Sequence, residues 1–263
     1  MNIAVCIKQV PASESKIKPA ANGVEIDWEG LSYVVNPYDE FAVEEGLRVK
    51  ERVGSGVVTV ITVGPPKAAE ALRTCLAVGA DSAIHVNDPH LQGGDVHTTA
   101  LVLTAVLKRA SYDLILFGKQ AIDDDMGAVG IQVAERLGIP HVAVINALAF
   151  TGDGKAVAHR QIEEAIEVVE TPLPALFTCQ KGLNEPRYAS LPGIMQAKKK
   201  PLTTLTLADL GLSADTVGFS GAKTVVTKIE PPPTRSAGIL IDGDPATAAR
   251  TLVQALRNDL HVI

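Results

Sequence analysis

The passage from Leu114 to Pro140 constrains this chain most. Leu114-Ile115-Leu116-Phe117 is an unbroken apolar run, as expected of a strand buried on both faces of a parallel sheet. Val129, Val133 and Leu137 recur at i, i+4 and i+8, the buried stripe of a helix. Gly138 and Pro140 then stop that helix. Between strand and helix runs Gly118-Lys119-Gln120-Ala121-Ile122-Asp123-Asp124-Asp125-Met126-Gly127-Ala128. Such a strand-to-helix crossing, at the carboxyl end of a strand, is where open α/β sheets bind ligands. Gly127, Ala128 and Gly130 have little or no side chain, so their N–H groups can face an anion at the positive end of the helix. The plainer alternative is local: the aspartates cap the helix and the glycines ease its packing.

The same grammar holds from the start of the chain. Residues 2–8 read as a central strand, followed by an irregular polar stretch with turn signals at Pro11, Pro19 and Asn22-Gly23. Asn36-Pro37 opens a helix, with Asn36 as its cap and Asp39 and Glu40 in its first turn. On that helix Val43, Gly46, Leu47 and Val53 can face the sheet, and Glu44, Glu45, Arg48 and Glu51 the water. Val57–Val63 and Ala83–Val86 read as strands, with helices after Gly64-Pro65-Pro66 and after the capping Gly93-Gly94-Asp95. Val142–Leu148 is a further strand. Ala156–Arg160 and Ala165–Glu170 look like an antiparallel pair, and Pro174–Cys179 returns to the core. Strand and helix alternate through residue 140, which predicts an α/β fold with a doubly wound, mostly parallel sheet. Aromatic residues make up 4% of the chain, so the core must be Val, Ile, Leu and Ala, which suits a sheet covered by helices.

Several function classes are disfavoured. No G-x-G-x-x-G follows the first strand and no G-x-x-x-x-G-K-[ST] is present, which argues against a standard dinucleotide fold and a P-loop ATPase. The net charge of −6, with Lys198-Lys199-Lys200 as the only basic run, argues against nucleic acid as a partner. Cys6, Cys75 and Cys179 lie far apart in apolar settings and read as small core residues rather than metal ligands or nucleophiles. No run approaches the ~18 apolar residues of a membrane span. Met1 leads almost directly into a strand rather than a signal peptide, so a cytoplasmic protein is expected.

From Ala197 the character changes. Short apolar pieces are split by Pro231-Pro232-Pro233, and one good helix remains, capped by Asp244, started by Pro245, with Ala249, Leu252, Val253 and Leu256 on one face. Such a tail cannot bury its own apolar face. The expected division is therefore a nucleotide-binding domain over 1–196 and an extended arm over 197–263 that lies against something else.

Two stretches point to a family. Gly118 to Asp125 resembles the nucleotide loop of the β subunit of electron-transfer flavoproteins. Leu183-Asn184-Glu185-Pro186-Arg187-Tyr188-Ala189-Ser190-Leu191-Pro192-Gly193-Ile194-Met195, with Lys198-Lys199-Lys200, resembles that family's partner-recognition loop. Asn36 to Glu45 and Ala77-Val78-Gly79-Ala80-Asp81 also match, so the resemblance spans nearly the whole chain. It implies a heterodimer whose α subunit holds most of a redox-active FAD. The β subunit completes the flavin's surroundings and buries one AMP, and its C-terminal arm wraps around the partner. Electrons arrive from acyl-CoA dehydrogenases, as in fatty acid oxidation, and leave to a membrane quinone reductase. The protein would be an electron carrier rather than a classical enzyme.

Carried over by resemblance, the cofactor-binding residues are Cys6, Asn36, Pro37, Tyr38, Asp39, Val63, Gly118, Lys119, Gln120, Ala121, Ile122, Asp123, Asp124, Asp125, Met126, Gly127, Ala128 and Val129. Tyr38 matches an aromatic placed beside the flavin. Because carboxylates repel a phosphate, Asp123 to Asp125 should turn to helix caps, ribose or backbone amides. The partner-binding residues are Arg187, Tyr188, Leu191, Pro192, Ile194 and Met195, with Leu191 as an exposed apolar anchor that enters a pocket on the dehydrogenase. The surrounding Pro186, Pro192 and Gly193 favour a loop there.

This chain also departs from the family. Ser13 replaces an aromatic that some members place near the flavin, and Gln161 stands where some carry an acid linking the subunits. Gly127-Ala128-Val129 replaces the more polar Asn-Gln-Thr type of AMP-binding members. Electron-bifurcating members hold a second FAD in place of AMP; they tend to have Gly where this chain has Asp124, and a Val-Gly like Val129-Gly130. Two alternatives thus stand beside the AMP-containing carrier: a bifurcating subunit with two FADs, and a non-redox adenine-nucleotide-binding module.

Overall fold

The computed structural model describes residues 1–233 and 238–263. Along the chain lie β1 (Asn2–Cys6), β2 (Gln9–Pro11), β3 (Tyr33–Val35), α1 (Pro37–Val53), β4 (Val57–Val63), α2 (Ala69–Val78), β5 (Ser82–Val86), α3 (Val96–Leu107), β6 (Leu114–Gly118), α4 (Val129–Leu137), β7 (His141–Phe150), β8 (Lys155–Gln161), β9 (Ile166–Pro172), β10 (Ala175–Cys179), α5 (Leu191–Ala197), β11 (Leu202–Leu205), α6 (Gly218–Gly221) and α7 (Pro245–Asn258). They fall into two compact units, Met1–Ile17 with Asp27–Thr227, and Lys18–Ile26 with Lys228–Ile263.

Among the described residues, the larger unit carries a nine-stranded sheet in the order β11-β5-β4-β1-β6-β10-β7-β8-β9. Strands from β11 to β7 pair in parallel; β8 and β9 add an antiparallel hairpin at one edge. Each face has its own apolar core. On one, Val43, Leu47 and Val49 of α1 and Leu72, Cys75 and Leu76 of α2 pack on Ile3, Val5, Val58 and Val60. On the other, Val102, Leu103 and Val106 of α3 and Val133 of α4 pack on Ala4, Ile61, Ile115 and Phe117. The fold is therefore doubly wound, as the β–α alternation predicts, and the three cysteines are buried, free core residues.

Some assignments differ. Glu44 and Glu45 are buried rather than facing water, because each has a cationic partner on α1 itself, Arg48 for Glu44 and Arg52 for Glu45, and a second partner from a distant part of the chain, Arg187 and Asn184 respectively. Val53, expected on the sheet, is exposed at the last position of α1. The sheet extends past residue 196, because β11 adds to the free edge of β5 in parallel, Leu202 opposite Ala83 and Leu205 opposite Val86. Val144 lies in the left-handed region at φ 61°, a strained conformation for a β-branched residue, at a register break between β7 and β10. The Thr178 hydroxyl accepts its N–H at 2.8 Å.

In the smaller unit, α7 begins at Asp244, whose carboxylate accepts from the N–H groups of Ala246 and Thr247. No residue of α7 is buried, and Leu252 and Val253 are 49% and 48% exposed. Of the arm expected over 197–263, residues 234–237 lie outside the described residues.

Candidate functional site

From β1 the chain winds to β4 and β5 on one side, then crosses to β6 and moves to the other side. The carboxyl ends of β1 and β6 therefore flank the point where the winding reverses, the crevice in which open sheets bind ligands. Cys6 ends β1, Val63 ends β4 and Gly118 ends β6. Cys6 is buried, and burial, followed by the Asp39 charge, pushes its thiol well above the ordinary range, so it is no nucleophile.

Asn36 does not cap α1 with its side chain. Instead its Nδ2 donates to the Gln120 carbonyl at 2.8 Å and its Oδ1 accepts from the Ile122 N–H at 3.1 Å. The helix starts without that cap because Pro37 presets the first helical position, and the Asn36 carbonyl accepts from Asp39 and Glu40. Asp39 is buried and ties two strand ends together: Oδ2 accepts from the Lys8 N–H at 2.7 Å and Oδ1 from the Gly118 N–H at 3.0 Å. Burial raises its carboxyl to about 7, against the opposing pull of those bonds. Gly118 has no space for a side chain. A Cβ there would lie 2.6 Å from the Tyr38 carbonyl carbon and 2.7 Å from the Asp39 nitrogen. The start of α1 and the end of β6 thus grip the loop 118–129 from two sides.

The aspartates do not cap α4; Ala128 is its N-cap residue. Asp123 and Asp124 both accept from the Lys8 ammonium, at 2.8 and 2.9 Å. Asp124 also accepts the Met126 N–H at 3.2 Å, and Asp125 accepts from Gln120 Nε2 at 2.6 Å. The backbone turns through positive φ at Asp125 and Gly127, 52° and 60°. Alanine offers no capping oxygen and, among the described residues, no other side chain takes that role, so the first N–H groups of α4 are left for another acceptor. Beside the loop, the Lys119 ammonium lies 4.8 Å from the centre of the Tyr38 ring. The crevice so built suits an anion: a positive helix end with little side chain over it, and two of the loop's acids drawn to one lysine.

Lys8 escapes the sequence reading. It follows β1 at the same strand end as Cys6, the signal that marks it, but only the fold shows its carboxylate partners.

The second candidate region packs against α1 and α2. Leu191 is not in a loop: Ser190 accepts the Gly193 N–H and caps α5, and Pro192 occupies its first turn. A proline there is compatible with a helix start, which is why Pro192 signals a helix as readily as a loop. Tyr188, Leu191 and Met195 are 97%, 80% and 73% exposed, with Ile194 and Pro192 exposed beside them. Lys200 is not part of a free basic run, because its ammonium donates to the Leu76 and Ala80 carbonyls and closes the end of α2. Arg187 is engaged with Glu44 and Glu51.

A family model for the electron transfer flavoprotein domain matches residues 25–210. Among similar curated proteins are the electron transfer flavoprotein subunit beta of Bacillus subtilis, 42% identical over the full length of both chains, and that of Methylophilus methylotrophus, 38% identical over 97% of this chain and 98% of its own. The caffeyl-CoA reductase-Etf complex subunit CarD of Acetobacterium woodii is 41% identical over the full length of both. The chain belongs to the electron transfer flavoprotein β-subunit family. Family membership implies flavin-associated electron transfer and an α-subunit partner, and leaves the non-redox alternative without support. No helix among the described residues is long and apolar enough to cross a membrane.

Proposed function

We propose that this chain completes the flavin site of a heterodimeric electron carrier and holds one AMP as a structural ligand. The observation that carries this reading is the uncapped start of α4 at the winding reversal, gripped by Asn36 and Asp39. The residues present fit a monophosphate. Val129 and Gly130 offer backbone amides, Gly127 and Ala128 leave the approach open, and Lys8 offsets part of the charge of Asp123 and Asp124. Asn36, Pro37, Cys6 and Val63 line the strand-end side of the same crevice. Lys119 and Tyr38 face the flavin held by the α subunit. FAD supplies the taking up and release of electrons; this chain's residues bind, orient and enclose.

Electrons arrive from acyl-CoA dehydrogenase-type flavoenzymes, docking on the surface of Tyr188, Leu191, Pro192, Ile194 and Met195 around Arg187, and pass to a membrane quinone reductase. The exposed apolar side chains on a short helix support that docking role. The arm that ends in α7 covers its apolar face against the α subunit.

A second reading, electron bifurcation with a second FAD in place of AMP, is favoured by the small Val129-Gly130 pair and by the relative whose name places it in a reductase complex. The test is co-expression with the α subunit and addition of a purified acyl-CoA dehydrogenase with its acyl-CoA. Flavin absorbance that bleaches on mixing supports the carrier; a flavin that stays oxidised refutes it.

A further inference from the structure

We propose that Arg187 is a positioning residue, which clamps the segment before α5 onto α1 so that Tyr188, Leu191 and Met195 project as one preformed platform. The proposal rests on the reading of that platform as the donor-docking surface, and it assigns Arg187 the task of holding the surface.

The guanidinium makes four hydrogen bonds within the chain. Nε donates to Glu44 Oε2 at 2.8 Å, one terminal nitrogen to Glu51 Oε1 at 2.6 Å, and the other to Glu44 Oε1 and Glu51 Oε2, each at 3.1 Å. The Arg187 N–H adds a bond to Glu44 Oε2 at 3.3 Å. Glu44 and Glu51 stand two turns apart on one side of α1, and only a planar fork can satisfy both carboxylates at once. Glu44 is buried, and a carboxylate there needs cationic partners; Arg48 supplies a second, at 2.7 Å. The bonds from Arg187 and Arg48 outweigh burial and hold the Glu44 carboxyl below its usual range.

Neighbouring residues are tied to the same helix. Asn184 donates to the Phe41 carbonyl and to Glu45, and Arg48 donates to the Glu185 carbonyl. At the far end Arg73 donates to the Ala197 and Lys200 carbonyls. Between these fixed ends stand the most exposed apolar side chains of the segment. Apolar side chains presented on a loose segment would lose affinity to ordering on docking; a clamped segment has lost that freedom in advance.

The test uses the complex with the α subunit, carrying Arg187→Met, Arg187→Lys, Glu51→Gln or Leu191→Ala. Amide hydrogen exchange over 188–197 is expected to quicken about tenfold or more in both Arg187 variants, less in Glu51→Gln, and little in Leu191→Ala, while sheet amides stay protected. Lysine should not rescue, because one ammonium cannot bridge both carboxylates. With an acyl-CoA dehydrogenase reduced by its acyl-CoA, Arg187→Met should raise the KM for the complex about tenfold at unchanged kcat. Adding Arg187→Met to Leu191→Ala should worsen transfer little further. Unchanged exchange over 188–197 in Arg187→Met, or full rescue by lysine, overturns the clamp. Quickened exchange with a KM indifferent to Leu191→Ala upholds the clamp and removes the docking reading instead.

Discussion

Gly118→Ala is the smallest change that should dismantle the nucleotide crevice. The added methyl would press on the Asp39 carboxylate and lie 2.6 and 2.7 Å from backbone atoms of Tyr38 and Asp39. Backbone cannot rotate out of the way, so the start of α1 and the end of β6 must separate. That breaks the bond from the Gly118 N–H to the buried Asp39 carboxyl, at 3.0 Å, worth about 1.5–3 kcal/mol above pH 7, where the acceptor is charged. Overpacking adds about 1–3 kcal/mol. A total of roughly 2.5–6 kcal/mol is expected, with Asn36 losing its register on Gln120 and Ile122 as a consequence.

The comparison is Gly130→Ala, a dozen residues on in α4. There a Cβ would meet only side-chain atoms of Phe117 and Thr178, at 3.2 Å, and alanine's helix propensity offsets that crowding by about 1 kcal/mol. The assay is urea unfolding of the heterodimer together with retained nucleotide after gel filtration. Gly118→Ala should lower the midpoint sharply and lose nucleotide; Gly130→Ala should lower the midpoint far less. A Gly118→Ala complex with unaltered midpoint and nucleotide content would refute the role given to the Asp39 bridge.

Leu191→Ala should weaken transfer from the dehydrogenase by about 1–3 kcal/mol of binding, with flavin content intact, and equal rates at low donor concentration would remove the anchor. Asp39 is protonated up to about 7 in the fold but only to 3.8 when unfolded. Between those values the folded chain holds a proton the unfolded chain has released, so this group's stabilisation is full below 3.8 and lost as pH rises to about 7. Asp39→Asn should flatten that slope in unfolding measured from pH 4 to 8. The chain expressed without its partner should aggregate through the uncovered face of α7, and a monomeric, cooperatively unfolding product would contradict the arm's assignment.

The β–α alternation through α4 was legible because periodicity reports which side of a helix or strand meets the sheet, and those strands pair with near neighbours in the winding. The place of β10, between β6 and β7, and the return of β11 to β5 were not legible, since a short apolar run carries no record of its partner. The loop 118–129 stood out by its glycines and its position after an apolar run. What builds its walls did not: Asn36 carries the signature of a helix cap, yet its side chain bonds residues 84 and 86 positions away. Glu44 looked solvent-facing because helix periodicity cannot show an arginine 143 positions on that makes its burial tolerable. Pro192 and Gly193 read as loop signals but belong to a helix start, which the Ser190 cap makes.

The central claim is that the uncapped start of α4 holds a monophosphate nucleotide inside a single-flavin carrier. Acid extraction of the purified heterodimer, followed by chromatography of the released ligands, measures this directly. The account predicts about one AMP and one FAD per complex, the AMP surviving extensive dialysis because it is enclosed by the assembled subunits. Two FADs and no AMP would contradict it and hand the site to the bifurcating reading.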